Sequence, residues 1–170
     1  MQAPHIVILF AAIFALGRIP AMPHQTNSGG SEDKDRAAIA QTLDRLLDAW
    51  NTHDAHAFAL TFADDADFTN VVGEHAQGRA NVQAFHAPMF AGIFKDSHQT
   101  AKIRSIRFLK PDLAAVDIDW EMTGAKSPDG KPWPYRRGLL NWVMAKQTDG
   151  SWLIVVMHNT ELTDYPAPAK

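Results

Sequence analysis

The spacing of apolar and polar residues changes once along this chain. Up to about residue 96 it is mostly helical, and from Ser97 onward it has period two. Ile39, Leu43, Leu46, Leu47 and Trp50 fall on one face of a helix that Ser31 or Asp33 can cap, with Asp44, Arg45 and Asp48 off that face. Asn51-Thr52-His53 breaks it, and Asp54 is a suitable N-cap for a short helix over 55–62. Residues 66–72 alternate like a half-buried strand, and Gly73 to Gly78 is a turn with room for a small strand. A third helix starts near Arg79, with Val82, Phe85, Met89 and Ile93 as its buried stripe and Phe90 beside it. Pro88 removes a donor and kinks or ends that helix.

Beyond Ser97 the pattern predicts strands over about 98–109, then one carrying Val116, Ile118, Trp120 and Met122 on one face, then 135–147 and 151–163. Lys110-Pro111-Asp112, Ser127-Pro128-Asp129-Gly130 and Thr148-Asp149-Gly150 are the turns between them. Three helices, an early strand and a four-stranded antiparallel meander predict an α+β domain whose curved sheet wraps around the helices and leaves a mouth for a ligand. Trp50, Phe58, Phe85, Ile118 and Val156 are the expected core.

Composition narrows the classes. At 170 residues the chain has one domain with terminal surplus. A net charge of −3 with scattered Lys and Arg gives no basic stripe, so nucleic acid is not an expected partner. The absence of Cys excludes disulfides, thiolate metal ligands and a thiol nucleophile. Ile6 to Leu16 is an uncharged apolar run, too short to span a bilayer and of the length of a signal-peptide core, although Met1 to His5 has no Lys or Arg. The alternative is a buried element of the domain. Pro20 to Ser31 is rich in Pro, Gly, Ser and Asn and reads as a linker. The expected division is a signal peptide and disordered linker over 1–31, a domain over 32–163 and a loose tail over 164–170, with a secreted or periplasmic location and no stable membrane span.

Several short motifs, in order, resemble the nuclear-transport-factor/ketosteroid-isomerase-like superfamily, and within it SnoaL-like proteins of the SgcJ/EcaC type. They are Trp50-Asn51-Thr52-His53-Asp54, Phe62-Ala63-Asp64-Asp65-Ala66-Asp67-Phe68, Gly73 with Gly78-Arg79-Ala80, Phe108-Leu109-Lys110-Pro111-Asp112, and Gly150-Ser151-Trp152 running to His158-Asn159-Thr160. The resemblance covers about residues 33–163 and implies a cone of curved antiparallel sheet around three N-terminal helices, a cystatin-like α+β barrel. It also implies a small hydrophobic ligand and a homodimer. By the same resemblance, the position of the steroid isomerases' proton-moving carboxylate holds Asn70 here, and their Tyr donor falls at about Leu46. The strand over 135–147 has no acid to replace their second donor, so that apparatus is missing as a set.

Candidate chemistry then rests on a few residues. Asn70 is either a ligand-orienting amide or a structural one tying two strands. His158, on an expected face with Trp152, Ile154 and Val156, is either a proton shuttle in the pocket or a rim histidine. His86 borders the third helix's stripe with the same two readings, and Trp120 is expected to face inward. Asp117, Asp119 and Glu121 read as a solvated outer face or a dimer surface, and Arg136-Arg137 as their cross-strand partners or an anion site. His53 and His56 are three apart, but no compact set of three ligands accompanies them, and neither a metal nor a cofactor is expected; a Gly-rich nucleotide loop is also absent. The expectation is an exported small-molecule-binding protein in which Asn70, His86, Trp120 and His158 line one cavity. The alternative is a cofactor-independent enzyme of isomerase, cyclase or dehydratase type acting on a hydrophobic molecule, with His158 in proton transfer.

Overall fold

The computed structural model describes residues 28–163. The apolar run Ile6 to Leu16, residues 20–27 of the stretch read as a linker, and the tail from 164 lie outside the described residues, whereas residues 28–31 of that stretch are helical. In order, the elements are α1 (Ser28–Asn51), α2 (Ala55–Ala59), β1 (Phe62–Thr69), β2 (His75–Gln77), α3 (Arg79–Ala91), β3 (His98–Lys110), β4 (Leu113–Thr123), β5 (Arg136–Lys146) and β6 (Trp152–Glu161). Helix α1 begins at Ser28, ahead of the expected caps. Its first turn takes in Gly29 and Gly30, which have nothing packed around them.

The six strands form one sheet in the order β2-β1-β6-β5-β4-β3. Strands β3 to β6 are the expected antiparallel meander, but the sheet as a whole is mixed, because β1 pairs parallel with β6. That pairing also corrects the first strand's bounds. Phe62 lies opposite Ile154, and the Ile154 N–H donates to the Thr61 carbonyl, so extended structure starts at Phe62 and α2 stops at Ala59. The strand ends at Thr69 because the Asn70 side chain closes a turn. Its oxygen accepts from the N–H groups of Val72 (3.0 Å) and Glu74 (2.8 Å).

Helix α1 lies against β3 and β6, and α3 against β1 and β2, with α2 packed on both helices. Between helices and sheet sit Ile39, Leu46, Phe58, Phe62, Val82, Ile118, Trp120, Trp142, Trp152 and Ile154, all at most 1–2 % exposed. Each such side chain contributes on the order of 2 kcal/mol through its buried area. Of the expected core, Trp50, Phe58 and Ile118 are buried, and Phe85 is half-buried against the core.

Val156 is not in the core. Strand β6 carries a β-bulge: Met144 pairs with Ile154 and Val143 with Val156, which leaves Val155 as an extra residue. Trp152 and Ile154 point inward before the bulge, and Met157 takes that face after it. A one-residue slip moves every later side chain to the other side of the sheet.

Helix α3 is held at its start by Arg79, which donates to the Phe62 carbonyl (2.8 Å) and pairs with Asp64 (2.7 Å). Pro88 sits inside the helix, which continues to Ala91. Strands β4 and β5 approach closely at Trp120 and Gly138, which are in register. A Cβ at Gly138 would overlap both the Trp120 indole and the Thr160 carbonyl, so this glycine makes room for Trp120 to lie over β5.

Candidate functional site

A cavity of about 270 Å³ lies between the helices and the sheet. Its inner wall is apolar: Leu46 and Trp50 from α1, Phe58 from α2, Phe85 and Met89 from α3, and Phe68, Met122, Leu140 and Met157 from the strands. Residues 70–72, Glu74, Trp133 and Arg136 form much of its rim.

His86 is the polar centre of the inner wall. It is 3 % exposed and ringed by aromatic groups, with Phe58 at 4.3 Å, Phe68 at 4.9 Å, Phe85 at 5.3 Å and Phe90 at 5.7 Å between ring centres. Its Nδ1 lies 2.8 Å from the Val82 carbonyl oxygen, one turn back on α3. A carbonyl only accepts, so Nδ1 carries the proton and the neutral ring leaves a bare lone pair on Nε2. Burial in this apolar shell pushes the His86 pKa down to about 4, against the opposing effect of the Val82 hydrogen bond. The ring is therefore neutral at physiological pH. It can accept a hydrogen bond, but it is a weak base.

Gln99 supplies a second acceptor. The residue is 4 % exposed and lines the same cavity, and its Oε1 is buried with no hydrogen-bond partner. The Trp50-Asn51 motif positions it. Trp50 donates its indole N–H to Ser97 Oγ (3.1 Å), and Asn51 grips the Gln99 main chain, donating to its carbonyl (2.9 Å) and accepting from its N–H (2.8 Å).

Toward the rim several polar groups are already paired. Arg136 makes a two-pronged ion pair with Glu161, both contacts at 2.7 Å, and its guanidinium lies 4.7 Å from the Trp133 ring centre. This pairing holds the Glu161 carboxyl below the usual range. Trp120 donates its indole N–H to Asn159 Oδ1 (2.8 Å).

Three of the four expected cavity residues are brought together, and one is not. His86, Trp120 and Asn70 line the cavity. Asn70 sits at the rim with its oxygen taken by its own turn and one amide hydrogen by Glu74 (2.7 Å), so it ties one turn rather than two strands. His158 is outside the cavity and exposed, in register with Asn141 on the outer face. The bulge at Val155 turned it outward and put Asn159 inward, the reverse of strict alternation. Gln99, Arg136, Asn159, Glu161 and Glu74 are polar lining residues that the sequence reading did not place here. Alternation from Ala101 puts Gln99 inward, and this was the one available signal.

The acidic row of β4 faces outward. Asp119 pairs with Arg104, and Asp117 accepts from Ser105 Oγ (2.9 Å) and Asn141 Nδ2 (2.8 Å), which keeps its carboxyl below the usual range. Arg136 pairs with Glu161 on β6 rather than with this row. Among the described residues no group of three His, Cys, Asp or Glu side chains could hold a metal ion, and no helix is long and apolar enough to cross a membrane.

Comparison with known proteins gives a consistent frame. Among curated proteins none matches the chain. Among solved structures, an uncharacterised protein with a cystatin-like fold from Caulobacter vibrioides is 28% identical, with a TM-score of 0.69 over 76% of this chain and 91% of that one. A domain of unknown function with a cystatin-like fold from Nostoc punctiforme is 26% identical, with a TM-score of 0.67 over 76% of this chain and 78% of that one. A ketosteroid isomerase-like protein from Erwinia carotovora atroseptica shares the fold at 17% identity, with a TM-score of 0.62 over 75% of this chain and 96% of that one. Residues 43–152 match the SnoaL-like domain, the stretch that runs from the middle of α1 to the first residue of β6 and contains most of the cavity wall, so the chain belongs to the SnoaL-like domain family.

Proposed function

We propose that this protein binds a small, largely apolar molecule in the cavity between helices and sheet, and that binding rather than turnover is its task. The observation that carries this reading is an aromatic cavity lined by His86, whose Nε2 has no hydrogen bond among the described residues, and by Gln99, whose buried Oε1 has none either. Convergent polar groups in an apolar concavity are the usual form of a ligand site. Ligand-binding and isomerase- or dehydratase-type activities both occur on this fold, so the decision rests on the residues.

Those residues favour binding. The one cavity histidine, His86, has a pKa of about 4 and gives little driving force for removing a proton at neutral pH. Its ring N–H goes to a backbone carbonyl, not to a carboxylate that would strengthen it as a base. Glu161 is held ionised by Arg136. His158, the expected proton shuttle, does not reach the cavity.

The reading includes export, with the apolar run at Ile6 to Leu16 as the signal and the ligand met outside the cytoplasm. It also includes a homodimer through the outer sheet face, where Arg104–Asp119 and Ser105–Asp117–Asn141 make an ordered polar surface; light scattering of the purified protein tests that part. The central test is titration of the protein with a panel of small aromatic and alicyclic compounds, following the fluorescence of Trp120 and Trp133 in the cavity wall. Saturable quenching by some members is expected. No response to any member, with no small molecule released on denaturing freshly purified protein, overturns the reading.

A further inference from the structure

We propose that the inner end of the cavity is a hydrogen-bond acceptor site, and that its ligand is a neutral molecule of one or two rings carrying an O–H or N–H donor. This deepens the binding reading above and rests on it.

Polarity comes first. A buried acceptor without a partner is destabilising, and most such groups in folded proteins are satisfied. Gln99 Oε1 is such an atom, and His86, which lines the cavity, has an Nε2 with no hydrogen bond among the described residues. Val82 fixes the His86 proton on Nδ1, so Nε2 presents only a lone pair. Gln99 is anchored through its main chain by Asn51, and its Oε1 has no partner. Of the wall's donors, the Trp120 indole N–H is taken by Asn159 and Nε and Nη2 of Arg136 by Glu161, while the Trp133 indole N–H, toward the rim, has no hydrogen bond among the described residues. At the His86 end of the cavity the unmet need is therefore for a donor on the ligand.

Charge comes next. Glu161 is neutralised by its two-pronged pair with Arg136, and Glu74 sits on the exposed rim, hydrogen-bonded to Asn70. Among the described residues no uncompensated charge faces the aromatic inner wall. Burying an ionised ligand there would carry a desolvation cost with no countercharge to offset it. Size follows from the volume. A protein cavity of about 150 Å³ accepts benzene, so about 270 Å³ suits a molecule of one to two rings.

The test uses pairs matched in shape and differing in the donor: phenol with toluene, and indole with benzofuran. Benzaldehyde presents only an acceptor, and benzylamine brings a cation. Dissociation constants come from calorimetry on the full chain, and a ¹⁵N-histidine-labelled sample reports Nε2 of His86. Phenol is expected to bind about tenfold tighter than toluene, and indole about tenfold tighter than benzofuran, as for one or two hydrogen bonds to otherwise orphaned acceptors. The Nε2 resonance should move upfield with phenol and indole and stay in place with toluene and benzofuran. Gln99→Met and His86→Phe should each bring the two members of a pair closer together. If His86→Phe fails to fold, the Gln99→Met variant and the wild-type resonance decide.

Equal or reversed preference within the pairs overturns the inference but leaves the cavity as a binding site. An amide can turn over and donate, so benzaldehyde binding tighter than phenol also overturns it, as does benzylamine binding tighter than phenol. Failure of all six compounds to bind removes this inference together with the binding reading.

Discussion

Asn51 holds the main chain of Gln99 at both ends of one peptide pair, donating to its carbonyl at 2.9 Å and accepting from its N–H at 2.8 Å. The contact joins the last residue of α1 to the second residue of β3, across 48 positions of sequence. It does for β3 what a neighbouring strand would do. Sheet edge and helix end are thereby locked at the point where Gln99 turns its side chain into the cavity.

Asn51→Leu should therefore cost stability and binding together. Two part-buried main-chain groups lose their partners, each at about 1 to 3 kcal/mol, and a total near 3 kcal/mol is expected. Urea unfolding measures it. Asn51→Asp keeps the acceptor and loses the donor, so it should fall between wild type and Asn51→Leu. Equal stability of all three proteins would show that the clamp is incidental.

Substitution of His158 should be nearly silent. The side chain is exposed on the outer face, and no hydrogen bond of its ring is found among the described residues, so His158→Ala should change stability by less than about 0.5 kcal/mol. Ligand affinity in the fluorescence titration should match wild type. A tenfold loss of affinity would place His158 in the site after all and would require the β6 bulge to be wrong.

The contrast between His158 and His86 shows how far the sequence was legible. Strand β4 alternates without interruption, so Val116, Ile118, Trp120 and Met122 were placed correctly from spacing alone. Helix α3 keeps its stripe only in part: Val82 is buried as expected, Phe85, Met89 and Ile93 are half-buried, and the buried line runs through Val82, His86 and Phe90. In β6 one extra residue at Val155 reverses everything after it, and no Gly or Pro marks the spot. A bulge of this kind is set by pairing with β5 and β1, which are distant in sequence. The parallel pairing of β1 with β6 was hidden for the same reason. One of the two readings of Arg136 paired it with the acidic row on β4, its sequence-adjacent partner strand, while the structure pairs it with Glu161 on the other side. Periodicity reports which face a residue occupies. It does not report which neighbour it meets.

Export has a direct readout. The protein produced in its own host and recovered from the compartment where it resides should show a mature N-terminus between about residues 18 and 30 by intact mass, as expected for cleavage after a short apolar core. Retention of Met1 on correctly localised protein would contradict it.

The last prediction concerns acid. The His86 pKa falls from an ordinary value of 6.5 to about 4 on folding, because the aromatic shell desolvates the charged ring. Between these values the unfolded chain holds a proton that the folded chain does not, so protons favour unfolding. The stabilisation associated with a neutral His86 is thus complete above about pH 6.5 and is lost as pH falls toward 4. The loss amounts to about 3 kcal/mol over the window, from the two to three pKa units involved. Carboxylates held below their usual range, such as Glu161, change stability in the same direction but at lower pH, because their unfolded values lie near 4. The upper part of the window, from pH 6.5 to about 5, therefore belongs mainly to this histidine. Urea unfolding at steps from pH 7.5 to 4.5 should show stability falling in that range. His86→Gln keeps a polar side chain without the titration and should flatten the slope there, whatever its effect on absolute stability. Bound phenol should steepen it, since a ligand donor on Nε2 competes with protonation of the same lone pair. An unchanged slope in the His86→Gln protein would assign the acid sensitivity to other groups.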